Sequence, residues 1–294
     1  MYLLVVIVRQ SLYIQFQALP TVLQLDPVFF ILSCLSLGLF SGLLGGMLGI
    51  GGGVIIVPAL YLLYGSSDRF ESPIMPVVAI ATSLTCIIFT SASAAFAQYR
   101  RAMVLWDPAI KLLPALLIGS LLASFIIPSL PPALIKSAVA IFLALVAVVM
   151  ATSWQPSPQL KFPGYLGASA VGLGAGFISG SAGIAGGNVI VPTLIFFNTP
   201  AHNATATSSF LGIPIALAGS LGYFWFAPEI INPELIGYVD QKAFICIVIG
   251  SVIAAPVGVK IAHSVSPALL KRVFGILLAA VSTKMIVDVL GLSN

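Results

Sequence analysis

Charged residues are rare along this chain, and the runs between them are long and apolar. Residues 27–67 carry no charged side chain, and residues 162–228 carry none unless His202 is protonated. One spanning helix needs about 20 apolar residues, so each run holds more than one membrane segment. No alternation of polar and apolar positions supports a transmembrane β-barrel. Charges and Pro/Gly clusters cut the chain into helical spans. The first half reads Phe29 to Gly49, Gly53 to Tyr64, Val77 to Ala97, Leu112 to Ile127 and Ala133 to Thr152. A polar linker, Ser153 to Lys161, precedes Tyr165 to Gly183, Gly187 to Phe197, Ala204 to Phe226, Ala243 to Ile261 and Pro267 to Leu290.

The two halves share a glycine-rich phrase. Gly46, Gly49, Ile50, Gly52, Gly53, Ile56, Val57 and Pro58 match Gly180, Gly183, Ile184, Gly186, Gly187, Ile190, Val191 and Pro192. The match extends outward. Ala81-Thr82-Ser83 pairs with Ala206-Thr207-Ser208, Ile118-Gly119-Ser120 with Ile249-Gly250-Ser251, and Pro132 to Lys136 with Pro267 to Lys271. The chain is therefore an internal duplication.

Basic residues mark cytoplasmic loops. Arg100 and Arg101 mark one, Lys260, Lys271 and Arg272 another, and Lys161 places the central linker inside. The stretch from Glu229 to Asp240 is acidic and reads as outside. Ala204 to Phe226 is one crossing between linker and acidic loop, so residues 164–197 leave and return on one side as a hairpin turning at the glycines. The same argument makes residues 28–64 a hairpin from the opposite side. The expected fold is an all-α polytopic membrane protein of two inverted-topology repeats. Each repeat is a glycine-broken helical hairpin plus three transmembrane helices, about eight to ten membrane helices in all. The expected organisation is an N-terminal apolar or interfacial segment (1–27), a first repeat (28–152), a linker (153–163) and a second repeat (164–294). The N-terminal segment is interrupted by Arg9, Gln10, Gln15 and Gln17 and lacks the basic start and cleavage site of a signal peptide.

Composition agrees. The chain is 60% hydrophobic and 7% charged, against roughly 25% charged in soluble domains. The net charge of +4 lies in loops and does not suggest nucleic-acid binding. Cys34, Cys86 and Cys246 stand alone in apolar stretches and read as buried thiols. No Asp or Glu falls in the middle of a span, and His202 and His263 sit at span ends. Paired catalytic carboxylates, H-E-x-x-H and Ser-His-Asp arrangements are all absent. An enzyme is not expected, and neither a metal site nor a cofactor is.

The glycine breaks offer other chemistry. A helix restarting at Gly53 or Gly187 has unpaired N–H groups at its positive end, which favours an anion. Irregular backbone at membrane depth is tolerated where it is buried in protein or lines a cavity. Gly49, Gly51, Gly52, Gly53, Gly183, Gly186 and Gly187 are therefore candidate substrate-binding residues. Close helix packing is the competing reading, since Gly42/Gly46, Gly45/Gly49 and Gly183/Gly187 have G-x-x-x-G spacing. Pro58 and Pro192 fall in the second hairpin arms and are expected to kink or end them. Thr82, Ser83, Thr207 and Ser208 carry hydroxyls that either donate to an oxyanion or bond locally. Asn188 either caps the following helix or reaches the substrate; His202 and Asn203, just before the second hydroxyl cluster, are further candidate substrate-binding residues, and His202 is also a candidate proton carrier beside the substrate itself. Lys284 and Asp288 have ion-pair spacing, Asp107 and Lys111 flank a helix start, and Trp106, Trp154 and Trp225 lie near span ends as an aromatic belt requires.

The duplicated glycine phrase, each followed by Ala-Thr-Ser, resembles the TauE/SafE family of sulfite exporters and sulfonate permeases. The His202-Asn-Ala-Thr-Ala-Thr-Ser run is similar to its second-repeat motif, although Val77 stands opposite His202 in the first repeat. The resemblance covers about residues 28–290. It implies transport of sulfur-containing oxyanions: sulfite, sulfonates such as sulfoacetate, or thiosulfate. The expected function is a secondary transporter holding such an anion at the midplane between two helix N-termini, in a multi-pass plasma membrane location, the bacterial inner membrane. The alternative is a transporter or channel for another anion or a metal cation. Expected partners are the anion, the lipid bilayer and a proton as coupling ion. A homodimer is compatible with the sequence, and no nucleic acid is expected.

Overall fold

A computed structural model describes residues 27–67, 70, 73–99, 103–152, 162–228, 232–262 and 267–289. The segment before Pro27, Arg100, Arg101, residues 153–161, Glu229 and His263, on which parts of the sequence reading rest, lie outside these residues. The chain runs α1 (Pro27–Leu48), α2 (Gly53–Ser67), α3 (Met75–Tyr99), α4 (Trp106–Ile126) and α5 (Pro132–Ala151). It continues with α6 (Tyr165–Ala182), α7 (Gly187–Phe196), α8 (Ala201–Trp225), α9 (Gln241–Ile261) and α10 (Pro267–Val289). A short antiparallel hairpin, β1 (Leu235–Ile236) and β2 (Val239–Asp240), leads into α9. The all-α polytopic architecture expected from the sequence is present, with this hairpin as its one small addition among the described residues.

Helices dominate because an apolar backbone in lipid must satisfy its N–H and C=O groups within the segment. Among the described residues six helices are long and apolar enough to cross a membrane: α1, α3, α4, α5, α8 and α9. Their outward faces are apolar, as at Ile141, Leu145 and Val148 of α5 and Ile245, Ile249 and Ile253 of α9. Helices α2 and α7 are shorter. Pro58 and Pro192 lie inside them, and each helix continues past its proline. Helix α4 begins six residues before the apolar run at Leu112. Asp107 sits in its first turn, where the dipole favours an acid, and Lys111 Nζ lies 2.7 Å from Asp107 Oδ2. The charges that mark a span boundary in the sequence thus ride on the helix itself. Lys284 and Asp288 are both exposed on α10 and form no salt bridge with each other or with another described residue.

The largest helix contacts join the two halves: α1 packs on α9, α4 on α6, α5 on α10 and α3 on α8. Glycines make the first two close. A methyl group on Gly38, Gly42 or Gly46 would fall 2.3, 2.4 or 2.2 Å from the carbonyl oxygens of Ile247, Ser251 and Ala255 respectively. The constant step shows α1 and α9 to be parallel. In the second half Gly172, Gly176 and Gly180 meet Leu112, Leu116 and Ser120 in the same way, so α6 and α4 are parallel too. Spacing every fourth residue keeps each stripe on one helix face.

Long-range contacts recur when the halves are exchanged. Thr90 Oγ1 donates to Ser251 Oγ at 2.8 Å, and Ser120 Oγ donates to the Ile215 carbonyl at 2.8 Å. Thr90 corresponds to Ile215 and Ser251 to Ser120. Helices α3 and α8 hold equivalent places and run antiparallel. Thr85 of α3 meets Ser220 of α8 at 2.9 Å between hydroxyls, whereas Ser91, later in α3, faces Gly212, earlier in α8.

Candidate functional site

Both glycine phrases break the helix. Gly49, Gly51 and Gly52 have φ of 68°, 68° and 80°, and Gly183 and Gly186 have 70° and 76°. That left-handed region is open to glycine and strained for other residues. Gly183 ends α6 by donating its N–H to the Ser179 carbonyl. Helix α2 starts from the Gly52 carbonyl, which accepts from Ile55 at 3.0 Å and Ile56 at 3.2 Å. Helix α7 starts from the Gly186 carbonyl, which accepts from Val189 at 2.9 Å and Ile190 at 2.7 Å. The N–H groups of Gly53, Val54, Gly187 and Asn188 precede those first bonds and form the open ends of the two helices. The chain doubles back at the first break, because a methyl on Gly52 would lie 2.7 Å from the Ser41 carbonyl oxygen.

The two breaks seat on each other. A methyl on Gly53 would fall 2.5 Å from the Gly183 carbonyl oxygen and 3.0 Å from Ile184 Cα. A methyl on Gly187 would fall 2.7 Å from the Gly49 carbonyl oxygen and 2.5 Å from Ile50 Cα. Gly53 and Gly187 are equivalent positions, as are Gly49 and Gly183, so each helix start rests on the opposite break. Gly51 touches its own counterpart, Ala185.

The hydroxyl residues divide between structure and site. Thr82 Oγ1 accepts from the Asp240 N–H at 2.9 Å, and Thr207 Oγ1 accepts from the Leu105 N–H at 3.0 Å. Each threonine thereby holds the residue before a helix of the other half, α9 or α4. Ser83 Oγ donates to the Gly183 carbonyl at 2.8 Å. Asn203 Nδ2 donates to the Met103 carbonyl at 2.9 Å, and His202 is exposed in the first turn of α8. Ser208 is fully buried and its Oγ has no hydrogen-bond partner. Asn188 Oδ1 and Nδ2 are likewise buried and unpartnered. A buried polar group left unpaired costs about 1–3 kcal/mol. The structure thus gathers the seven break glycines, Ser83 and Asn188 at one junction. Ser208 stands in the α8 turn whose Thr205 and Ser209 face Gly49. Thr82, Thr207, Asn203 and His202 are placed elsewhere.

Two residues escape the sequence reading. Ser91 is 1% exposed, its Oγ is unpartnered, and it lies 2.8 Å from where a methyl on Gly51 would be. Asp240, read from sequence as part of an outer acidic loop, is fully buried. Its Oδ1 accepts from the N–H groups of Lys242 at 3.0 Å and Ala243 at 3.1 Å. The usable signal was an aspartate directly before an apolar helical run, the pattern of an N-cap. Asp240→Ala is expected to lower stability by about 0.5–2 kcal/mol through the lost cap, while Asp240→Asn retains most of it. Thermal unfolding of the detergent-purified variants checks the order; equal losses would mean that charge rather than capping stabilises.

With this geometry in place, known proteins can be compared. The family model described as Sulfite exporter TauE/SafE matches residues 34–285. The chain belongs to the TauE/SafE family. A probable membrane transporter protein of Haemophilus influenzae is 28% identical over 263 residues, covering 87% of this chain and 98% of that protein. A probable membrane transporter protein of Methanocaldococcus jannaschii is 29% identical over 241 residues, 78% of this chain and 85% of that one. The Bacillus subtilis probable membrane transporter protein YunE is 28% identical over 207 residues, 64% of this chain and 76% of its own length. With six candidate spans, this TauE/SafE member is a multi-pass membrane protein, and its family is one of membrane transporters.

Proposed function

We propose that this chain is a secondary transporter of small sulfur oxyanions: sulfite, an organosulfonate such as sulfoacetate, or thiosulfate. The observation that carries the reading is the reciprocal seating of the two helix starts on the opposite breaks. It brings the positive ends of α2 and α7 to one junction, where partial charges of about +0.5 favour an anion without a buried lysine or arginine. The family's description supplies the sulfur chemistry. The reading is of a carrier and not an enzyme.

The antiparallel run of α3 and α8 supports opposite orientations of the two repeats across the bilayer. Alternating access then amounts to each hairpin rocking against its own three-helix partner. A proton is the coupling ion of this reading, travelling on the substrate, because sulfite protonates near neutral pH. Radiolabelled sulfite, sulfoacetate and thiosulfate flux into proteoliposomes tests the function. Saturable uptake of at least one is expected, and no flux for any of the three sinks the reading.

A further inference from the structure

The two halves meet through exchanged contacts, yet their polar groups are not exchanged. Three side chains with buried, unpartnered polar atoms belong to segments packed on the first break. Ser91 of α3 faces Gly51. Asn188 follows Gly187, which rests on Gly49 and Ile50. Ser208 belongs to the α8 turn whose Thr205 and Ser209 face Gly49. The corresponding positions around the second break are Ala216, Val54 and Ser83. Ala216 and Val54 are fully buried and apolar, and Ser83 already donates to the Gly183 carbonyl. At the second break the one hydroxyl is engaged by the protein itself, and at the first one amide and two hydroxyls have no hydrogen-bond partner in the protein.

We propose that the anion site is one-sided: a single oxyanion binds beside the first break, at the N-terminus of α7, with Asn188, Ser208 and Ser91 as its side-chain donors. The proposal deepens the transport reading and rests on it for the identity of the anion. A buried polar atom without a partner calls for a ligand or water, and each of these side chains carries one; Asn188 stands in the first turn of α7, a ten-residue helix that presents its open N–H groups. All three can donate: Nδ2 of the asparagine and Oγ of each serine. An oxyanion with several charge-bearing oxygens uses three separated donors, whereas a monatomic halide does not need them. The second break keeps the backbone geometry but not the free donors, its matching positions being Ala216, Val54 and the already engaged Ser83, which makes it the supporting wall.

Isothermal titration of the detergent-purified full chain with sodium sulfite tests this, with nitrate and inorganic phosphate titrated in parallel. One sulfite per chain is expected. Asn188→Val, Ser208→Ala and Ser91→Ala, which copy the residue at the second break or trim the donor, are each expected to weaken binding about tenfold or more. Val54→Ala and Ala216→Ser are expected to leave the affinity within about twofold. Two sulfites per chain, wild-type affinity in Asn188→Val or Ser208→Ala, or an equal loss in Val54→Ala overturns the one-sided site. Binding of nitrate or phosphate alone, with the same variant pattern, overturns the sulfur reading and keeps the site. Wild-type protein that binds none of the anions overturns both. Size-exclusion profiles matching wild type establish that each variant is folded.

Discussion

Gly53→Ala and Gly187→Ala are each expected to abolish flux in proteoliposomes while the protein still inserts. Both glycines have helical backbone, so φ is no obstacle, and the whole effect comes from the added methyl. That methyl lands 2.5 Å from the Gly183 carbonyl oxygen in one case and 2.5 Å from Ile50 Cα in the other. Neither obstacle is the end of a flexible side chain, so the two breaks must separate. Overpacking of this kind costs about 1–3 kcal/mol, within the roughly 5–15 kcal/mol that holds a domain folded. The expected result is therefore a folded protein with a displaced junction. Gly65→Ala is the matching control, because nothing lies within 4 Å of a methyl there. Flux equal to wild type in Gly53→Ala and Gly187→Ala would remove the junction from the mechanism.

A larger loss of stability is expected from the packing stripes. Gly42→Leu or Gly176→Leu should prevent recovery of a monodisperse protein, and the alanine variants should each lose about 1–3 kcal/mol. A methyl on Gly42 would lie 2.4 Å from the Ser251 carbonyl oxygen, and one on Gly176 would lie 2.3 Å from that of Leu116. These contacts belong to α1 with α9 and α4 with α6, so the helices must move apart along their length and not at one residue. Gly174 occupies the same helix as Gly176 but has nothing within 4 Å of its methyl position. Gly174→Ala should therefore be neutral or gain about 0.5–1 kcal/mol. Thermal unfolding followed by fluorescence orders the three alanine variants, and equal melting of Gly176→Ala and Gly174→Ala would show the stripe to be loosely packed.

Much of the fold was legible because lipid imposes a simple grammar. Uncharged runs gave the helices, and the doubled glycine phrase gave both breaks to within a residue. Packing and chain-bending, left open by spacing alone, fall to different glycines. Gly42 and Gly46 pack on α9, while Gly49, Gly51, Gly52, Gly183 and Gly186 bend the chain. Spacing could not separate them because the same four-residue step serves both purposes. The hydroxyls were less legible. Thr82 and Ser83 are neighbours of one chemistry, yet one holds a helix start of the other half and the other bonds the second break. That difference depends on which elements approach from far along the chain. The burial of Asp240 was hidden for the same reason, since it comes from packing beside α3 and not from its polar neighbours in sequence.

The contact between Gly51 and Ala185 has a consequence for how the two copies diverge. These residues occupy the same position of the two repeats, and they touch. A position that meets its own counterpart on a symmetry axis cannot be enlarged in one copy without the other giving way, so both stay small. Positions off the axis carry no such restraint, and there the copies have parted: valine against asparagine at 54 and 188, serine against alanine at 91 and 216. Duplication within one chain thus frees the flanks to specialise while the centre remains bound to self-complementarity.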